Sequence, residues 1–298
     1  MKLALISPIP YLDKSIEVSN YHMILGHLLK DPTYSEFYQT LKAKQQDAYV
    51  ICDNSANEGF MLRGQELIDL ATHVKANEII APDKYHDAET TVKETMSFLD
   101  DHWDVQLSGK FNIMAVPQGD TMTDYFDCYG EFLDDDRINV IGIGYRNLIP
   151  AFMDAVGMMT PAMWEQFGLP KEIIDVLFSR LEDNCFNYTM SRLYFLKNLV
   201  KFKTFAHRDK QIHLLGLYNP YELALINILF NPSELKRIRS CDTAAPWQAA
   251  QVGVAFDKNF GVVTKPKPFV DFTQSLTDNQ MVLFTHNMTL LKKWSGNE

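Results

Sequence analysis

Cysteine is scarce in this sequence: Cys52, Cys128, Cys185 and Cys241 are the four in 298 residues. They stand far apart with no CxxC pair, which argues against a disulfide framework and a sequence-local zinc site and leaves reduced thiols as the expectation. Among the histidines only His22 and His27 are close neighbours, and a five-residue gap puts them on different helical faces, so no metal is expected. Basic charge is in deficit as well. With 28 Lys and Arg against 38 Asp and Glu, the net charge is −10, which disfavours a protein that coats nucleic acid non-specifically. Long apolar runs are missing. The most apolar window, about residues 140–159, carries Arg146 and Asp154, so no membrane span is expected. The run Met1–Pro8 is too short for a signal peptide and no small-residue cleavage site follows it. The expectation is a soluble, cytoplasmic chain without internal repeats.

What the sequence does have is a series of short β-like runs, each ending in a polar or glycine-containing turn. They are Val50–Ser55, Ile79–Asp83, Met114–Gly119, Val140–Gly144, His213–Leu217 and Arg239–Thr243. Strand-like runs near 2–7, 48–52, 78–82, 111–117, 138–143, 211–216, 237–241 and 252–256 alternate with helical patterns at Tyr21–Leu29, Ser35–Lys44, Gly64–Lys75, Asp87–Asp100, Thr121–Leu133, Leu148–Met158, Lys171–Lys203 with a break near Asp183, Pro220–Leu229 and Asp278–Trp294. Eight βα units predict an α/β fold, a (β/α)8 TIM-like barrel in one domain spanning 1–298, with a helical insertion over about 145–210. Asp87 and Asn219-Pro220 read as helix starts.

In such a barrel the C-terminal strand ends share one mouth, so Asp53, Asp83, Gln118 and Asp242 would meet there. A lone strand-end aspartate is usually a cap or a solvated carboxylate; three converging on one mouth suggest chemistry. Two carboxylates beside a reacting carbon suit double displacement at an anomeric centre, one attacking and the other handling the proton. A third can read a guanine edge by accepting from N1–H and the exocyclic amine, with Gln118 at the O6 edge and backbone near Gly142 allowing close approach. Two basic groups stand out. Lys197, Lys201, Lys203, Arg208 and Lys210 fall in the insertion, and Lys236, Arg237 and Arg239 lead into Asp242. The bland reading of the first is a solvated helix face.

The ordered series Asp53-Asn54-Ser55, Pro82-Asp83, Val116-Pro117-Gln118-Gly119, Ile141-Gly142-Ile143-Gly144, Leu214-Leu215-Gly216 and Cys241-Asp242 resembles the motifs of the guanine transglycosylase superfamily, whose members exchange guanine for a 7-deazaguanine. The resemblance implies that Asp242 is the nucleophile and Asp53 the general base. It implies that Asp83, Gln118, Gly119, Gly142, Ile143 and Gly216 bind the base, without a cofactor. Members acting on tRNA carry a Cys-rich zinc subdomain after the nucleophile, whereas no cysteine follows Asp242 here. The compact form is more similar to phage and bacterial members that modify DNA. The expectation is therefore base exchange in DNA with a free 7-deazaguanine, in the host cytoplasm if the source is a phage. Lys236, Arg237, Arg239, Lys201 and Lys203 are the expected nucleic-acid contacts, aided by a protein partner or a second copy of the chain. The alternatives are a zinc-free tRNA enzyme, a non-catalytic nucleic-acid-binding barrel subunit, and a barrel hydrolase acting on a soluble nucleoside.

Overall fold

The computed structural model describes residues 1–144, 148–149, 153, 160–166, 168–179, 184–201, 210–217, 219–256 and 271–296. Strands β1 (Lys2–Leu5), β2 (Tyr21–Leu25), β3 (Tyr49–Asp53), β4 (Glu78–Ile80), β5 (Asn112–Ala115), β6 (Val140–Ile143), β7 (Gln211–Leu214) and β8 (Ile238–Thr243) form a closed barrel in sequence order. Every pairing is parallel, and β8 closes on β1 with Asp242 opposite Ala4. This is the (β/α)8 architecture that the βα alternation predicts.

Eight strands were expected, but two positions differ. Tyr21–Leu29, expected as helix, is β2 followed by a 3-10 turn over Gly26–Lys30. The segment Tyr-His-Met-Ile-Leu is buried on both faces, Met23 inside the barrel and Ile24 against the helices. A strand covered on both sides has no polar alternation, so periodicity cannot separate it from a helix. The run 252–256 is not a strand. It leaves the helix Ala245–Gln251 through Gly253 at φ +76° and packs Phe256 beneath the last helix, where the Phe256 N–H donates to Asn287 Oδ1 at 2.7 Å.

The described helices are α1 (Leu12–Val18), α2 (Pro32–Lys44), α3 (Gly64–His73), α4 (Ala88–His102), α5 (Met122–Asp134), α6 (Pro161–Gln166), α7 (Lys171–Ser179), α8 (Asn184–Lys201), α9 (Tyr221–Leu229), α10 (Pro232–Leu235), α11 (Ala245–Gln251) and α12 (Asp278–Ser295). Local chemistry sets their starts. Asp87 caps α4 by accepting from the Thr90 N–H at 2.9 Å, as expected, and Thr121 with Asp124 forms a capping box on α5. Asn219 instead reaches one residue into the next turn, accepting from the Tyr221 N–H at 3.1 Å. Between β6 and β7 lie α6, α7 and α8, while the helix expected over 148–158 falls largely outside the described residues. No described helix is long and apolar enough to cross a membrane.

Two cores result. The outer one lies between strands and helices and holds Val50, Cys52, Ile141, Ile143, Leu214 and Cys241. The inner one, built from Ala4, Met23, Ile51, Ile80, Met114, Val116 and Val140, fills the barrel. Below it, at the N-terminal end of the strands, sits a polar plug. Arg239 Nη1 and Nη2 donate to Glu78 Oε2 and Oε1 at 2.7 and 2.9 Å, and Tyr49 Oη donates to Glu78 Oε2 at 2.7 Å. Tyr21 stacks on Tyr49 with centroids 4.6 Å apart. A mouth open to chemistry thus has a sealed opposite end.

Candidate active site

Side-chain alternation decides which strand-end residues face the mouth. In β3, Tyr49 and Ile51 point inward while Val50 and Cys52 point to the helices, so Asp53 falls on the inner side. In β8 the same alternation buries Cys241 in the outer core and turns Ser240 and Asp242 inward. Asp83 and Gln118 each follow a proline just past β4 and β5, neighbouring strands joined at Ile80 and Met114. Gln118 Nε2 donates to Asp83 Oδ2 at 2.6 Å, and Asn54 Nδ2 donates to Asp83 Oδ1 at 2.7 Å. All four expected polar residues therefore belong to the C-terminal face.

Asp53 is held by a local turn in which the Ser55 N–H donates to its Oδ2 at 3.2 Å, with Ser55 in the left-handed region at φ +58°. Ser55 Oγ in turn accepts from the His27 N–H at 3.2 Å and lies 2.9 Å from His27 Nδ1. Burial pushes the Asp53 carboxyl well above the usual carboxylate range, and the charges of Glu58, Asp83 and Asp242 push it the same way. Burial also raises Asp83, against the lowering effect of the Asn54 and Gln118 donors. Among the described residues no lysine or arginine pairs with any of these three aspartates. Around Asp53 the neighbouring carboxyls add to burial, and both favour its protonated form.

Asp242 is anchored differently. Its Oδ1 accepts from the Gly216 N–H at 2.8 Å and lies 3.1 Å from His213 Nε2. Gly216 has φ +68°, a conformation that aims this N–H and that a side chain would strain. The carbonyl of the same peptide unit, Leu215 O, accepts from Arg192 Nη1, which also donates to Ile143 O at 3.1 Å. Arg192 is fully buried in α8 and pairs with Glu222, Nη2 to Oε2 at 2.7 Å. The insertion thus contributes a helix that braces the ends of β6 and β7. Both donors to Asp242 address Oδ1, and Oδ2 receives none from the described residues.

Several expected contacts require correction. Arg239 does not face a polymer, because its guanidinium is locked to Glu78 inside the sealed end of the barrel. Lys236 and Arg237 precede β8 and so sit at that same end, six and five residues before Asp242, separated from it by the length of a strand, on the order of 17–20 Å. They cannot contact a substrate held at the mouth. Ile143 points outward into the helix layer and its carbonyl is already engaged by Arg192 and by the Leu215 N–H. Gly142 faces inward, where Leu215, Met114 and Val116 side-chain atoms stand 2.9–3.1 Å from the position a Cβ would take. Gly119 is held against the start of α5, where an added Cβ would stand 2.6 Å from the Tyr125 nitrogen. Lys203 and the side chain of Lys201 lie outside the described residues.

Four residues escaped the sequence reading: Asn54, His213, Arg192 and Glu222. His213 carried a signal, since it shares the inner face of β7 with Leu215 two residues on. Arg192 carried none, because a helix-borne arginine reads as solvated until its partner is known. An open surface groove of about 970 Å³, lined by Lys84, Tyr85 and His86, lies between the starts of α4 and α5. No group of three or more metal-ligating side chains is assembled among the described residues. In comparison with known proteins the chain matches no family model and no curated protein.

Proposed function

We propose that the protein is a base-exchange transglycosylase replacing guanine in DNA with a 7-deazaguanine through a covalent Asp242–glycosyl intermediate. The observation that carries the reading is the division of labour at one mouth: Asp242 whose Oδ1 takes both contacts from the described residues, and Asp53 with a raised carboxyl. Asp242 Oδ2 attacks C1′ and the C1′–N9 bond breaks. Asp53, protonated at the outset because burial and like charges favour it, gives its proton to the departing guanine. The incoming base returns a proton to Asp53 from N9, and its nitrogen displaces Asp242, so two inversions give net retention. Asp83 retains lone pairs for a guanine edge, since each carboxylate oxygen has two and each has one described side-chain donor.

One observation favours a second reading, glycosyl chemistry on a soluble nucleoside. The lysines and arginines nearest Asp242 in sequence sit at the sealed end, and the mouth carboxylates have no lysine or arginine partner among the described residues. The test is incorporation of radiolabelled guanine into duplex DNA, tRNA and free guanosine, with native protein and Asp242→Asn. Label entering DNA with the native chain alone, together with a denaturation-resistant protein–DNA adduct, supports the proposal. Label in tRNA or release of free base from guanosine selects the alternatives, and equal activity of Asp242→Asn removes Asp242 from the reaction.

A further inference from the structure

The polar plug and the mouth are not separate. Arg239, whose Nη atoms hold Glu78, turns its Nε–H to Ser240 Oγ at 3.1 Å. Ser240 Oγ lies 2.8 Å from His213 Nδ1, and His213 Nε2 lies 3.1 Å from Asp242 Oδ1. His213, Ser240 and Glu78 are fully buried. The direction of this chain follows from what each group can do. The arginine only donates, so Ser240 Oγ accepts from it and has its hydrogen and a second lone pair left for His213 Nδ1. A carboxylate at Asp242 only accepts, which puts a proton on His213 Nε2 and leaves Nδ1 of the neutral imidazole to take the Ser240 hydrogen.

We propose that His213 is a positioning residue for Asp242, held as the Nε2–H tautomer by the Glu78–Arg239–Ser240 chain from the sealed end, so that Oδ1 is occupied and Oδ2 is presented to the mouth. The role assigned to Asp242 rests on the transglycosylase reading; the tautomer and the bond do not. Two features give the arrangement meaning beyond packing. His213 is fully buried, and both its nitrogens have a polar partner within 3.1 Å. Both donors also converge on the same oxygen, and a carboxylate clamped at one oxygen has its other oxygen fixed in direction.

The experiment uses the full chain labelled with [15N]histidine, in native form and as Ser240→Ala, His213→Asn and His213→Gln. In the native protein the His213 nitrogen shifts should report the Nε2–H tautomer, and Ser240→Ala should convert it to a mixture. A native Nδ1–H tautomer, or Ser240→Ala spectra identical to native, overturns the proposal whether or not any base exchange is detected. In the exchange assay kcat should fall about 10- to 100-fold in His213→Asn with KM unchanged, the range seen when the outer partner of a functional ligand is removed. Glutamine, whose amide can donate towards Asp242, should restore part of that loss. Native-like kcat in His213→Asn overturns the positioning role. Absence of exchange by the native chain overturns the transglycosylase reading instead, and the tautomer result then decides the His213–Asp242 bond alone.

Discussion

Removing Arg239 should expose how much the sealed end of the barrel depends on one ion pair. Glu78 is completely buried and accepts three hydrogen bonds, two from Arg239 at 2.7 and 2.9 Å and one from Tyr49 Oη at 2.7 Å. Arg239→Met leaves the carboxylate with the tyrosine alone, strips Ser240 Oγ of its donor at 3.1 Å, and removes the cation from the Tyr49 ring, 5.5 Å away. Breaking a buried pair by deleting one partner costs about 3–5 kcal/mol, most of it the desolvation of the charge left behind. For a chain of this size about 2 °C of Tm per kcal/mol gives a drop of roughly 6–10 °C. The double variant Arg239→Met/Glu78→Leu removes the orphan charge and should recover most of the loss, because a buried pair and an apolar replacement are close in free energy. Urea titrations of the native chain, both single variants and the double variant measure this as a double-mutant cycle. A single-variant loss below about 1 kcal/mol, or a double variant no more stable than Arg239→Met, would refute the assignment of Arg239 as an internal counter-ion.

Asp53→Asn should stabilise the protein at neutral pH. The folded carboxyl is raised above its unfolded value of about 3.9, so the native state binds more protons and native stability falls as pH rises through the folded value. The variant lacks that dependence. Its advantage should vanish below about pH 4 and grow as pH rises towards 7, read from urea midpoints across that range. Gly119→Ala should cost about 1–3 kcal/mol, because the new Cβ meets the backbone at the start of α5 rather than a movable side-chain end, and thermal unfolding checks it. Cys52, Cys128 and Cys241 should resist alkylation in the folded chain. All three are buried, and burial raises their thiols, Cys128 to about 11 and the other two further. Peptide mapping after pulse alkylation at pH 8 should find these sites modified only with denaturant present.

The mouth was legible because its parts follow strand ends. Asp53, Asp83, Gln118 and Asp242 each close a short β-like run in the sequence, and a parallel barrel gathers the C-terminal ends of its strands at one mouth. Strand β2 was not legible, because burial on both faces erased the polar alternation that distinguishes strand from helix. The basic run Lys236–Arg239 was misleading for a related reason. Sequence proximity to Asp242 places the run on β8 or just before it, but three to six residues along a strand reach from one end of the barrel towards the other.

By itself the sequence determined the βα alternation, the barrel and the set of acids at its mouth, since these depend on local pattern and on a topology that parallel strands impose. Only the tertiary structure decided which polar groups are occupied by one another. Arg239 belongs to Glu78, Arg192 to Glu222, and Asp242 to His213 and Gly216, pairs 161, 30, 29 and 26 residues apart. No local pattern encodes such partners, because they form where burial makes an unpaired charge or donor too costly to leave alone.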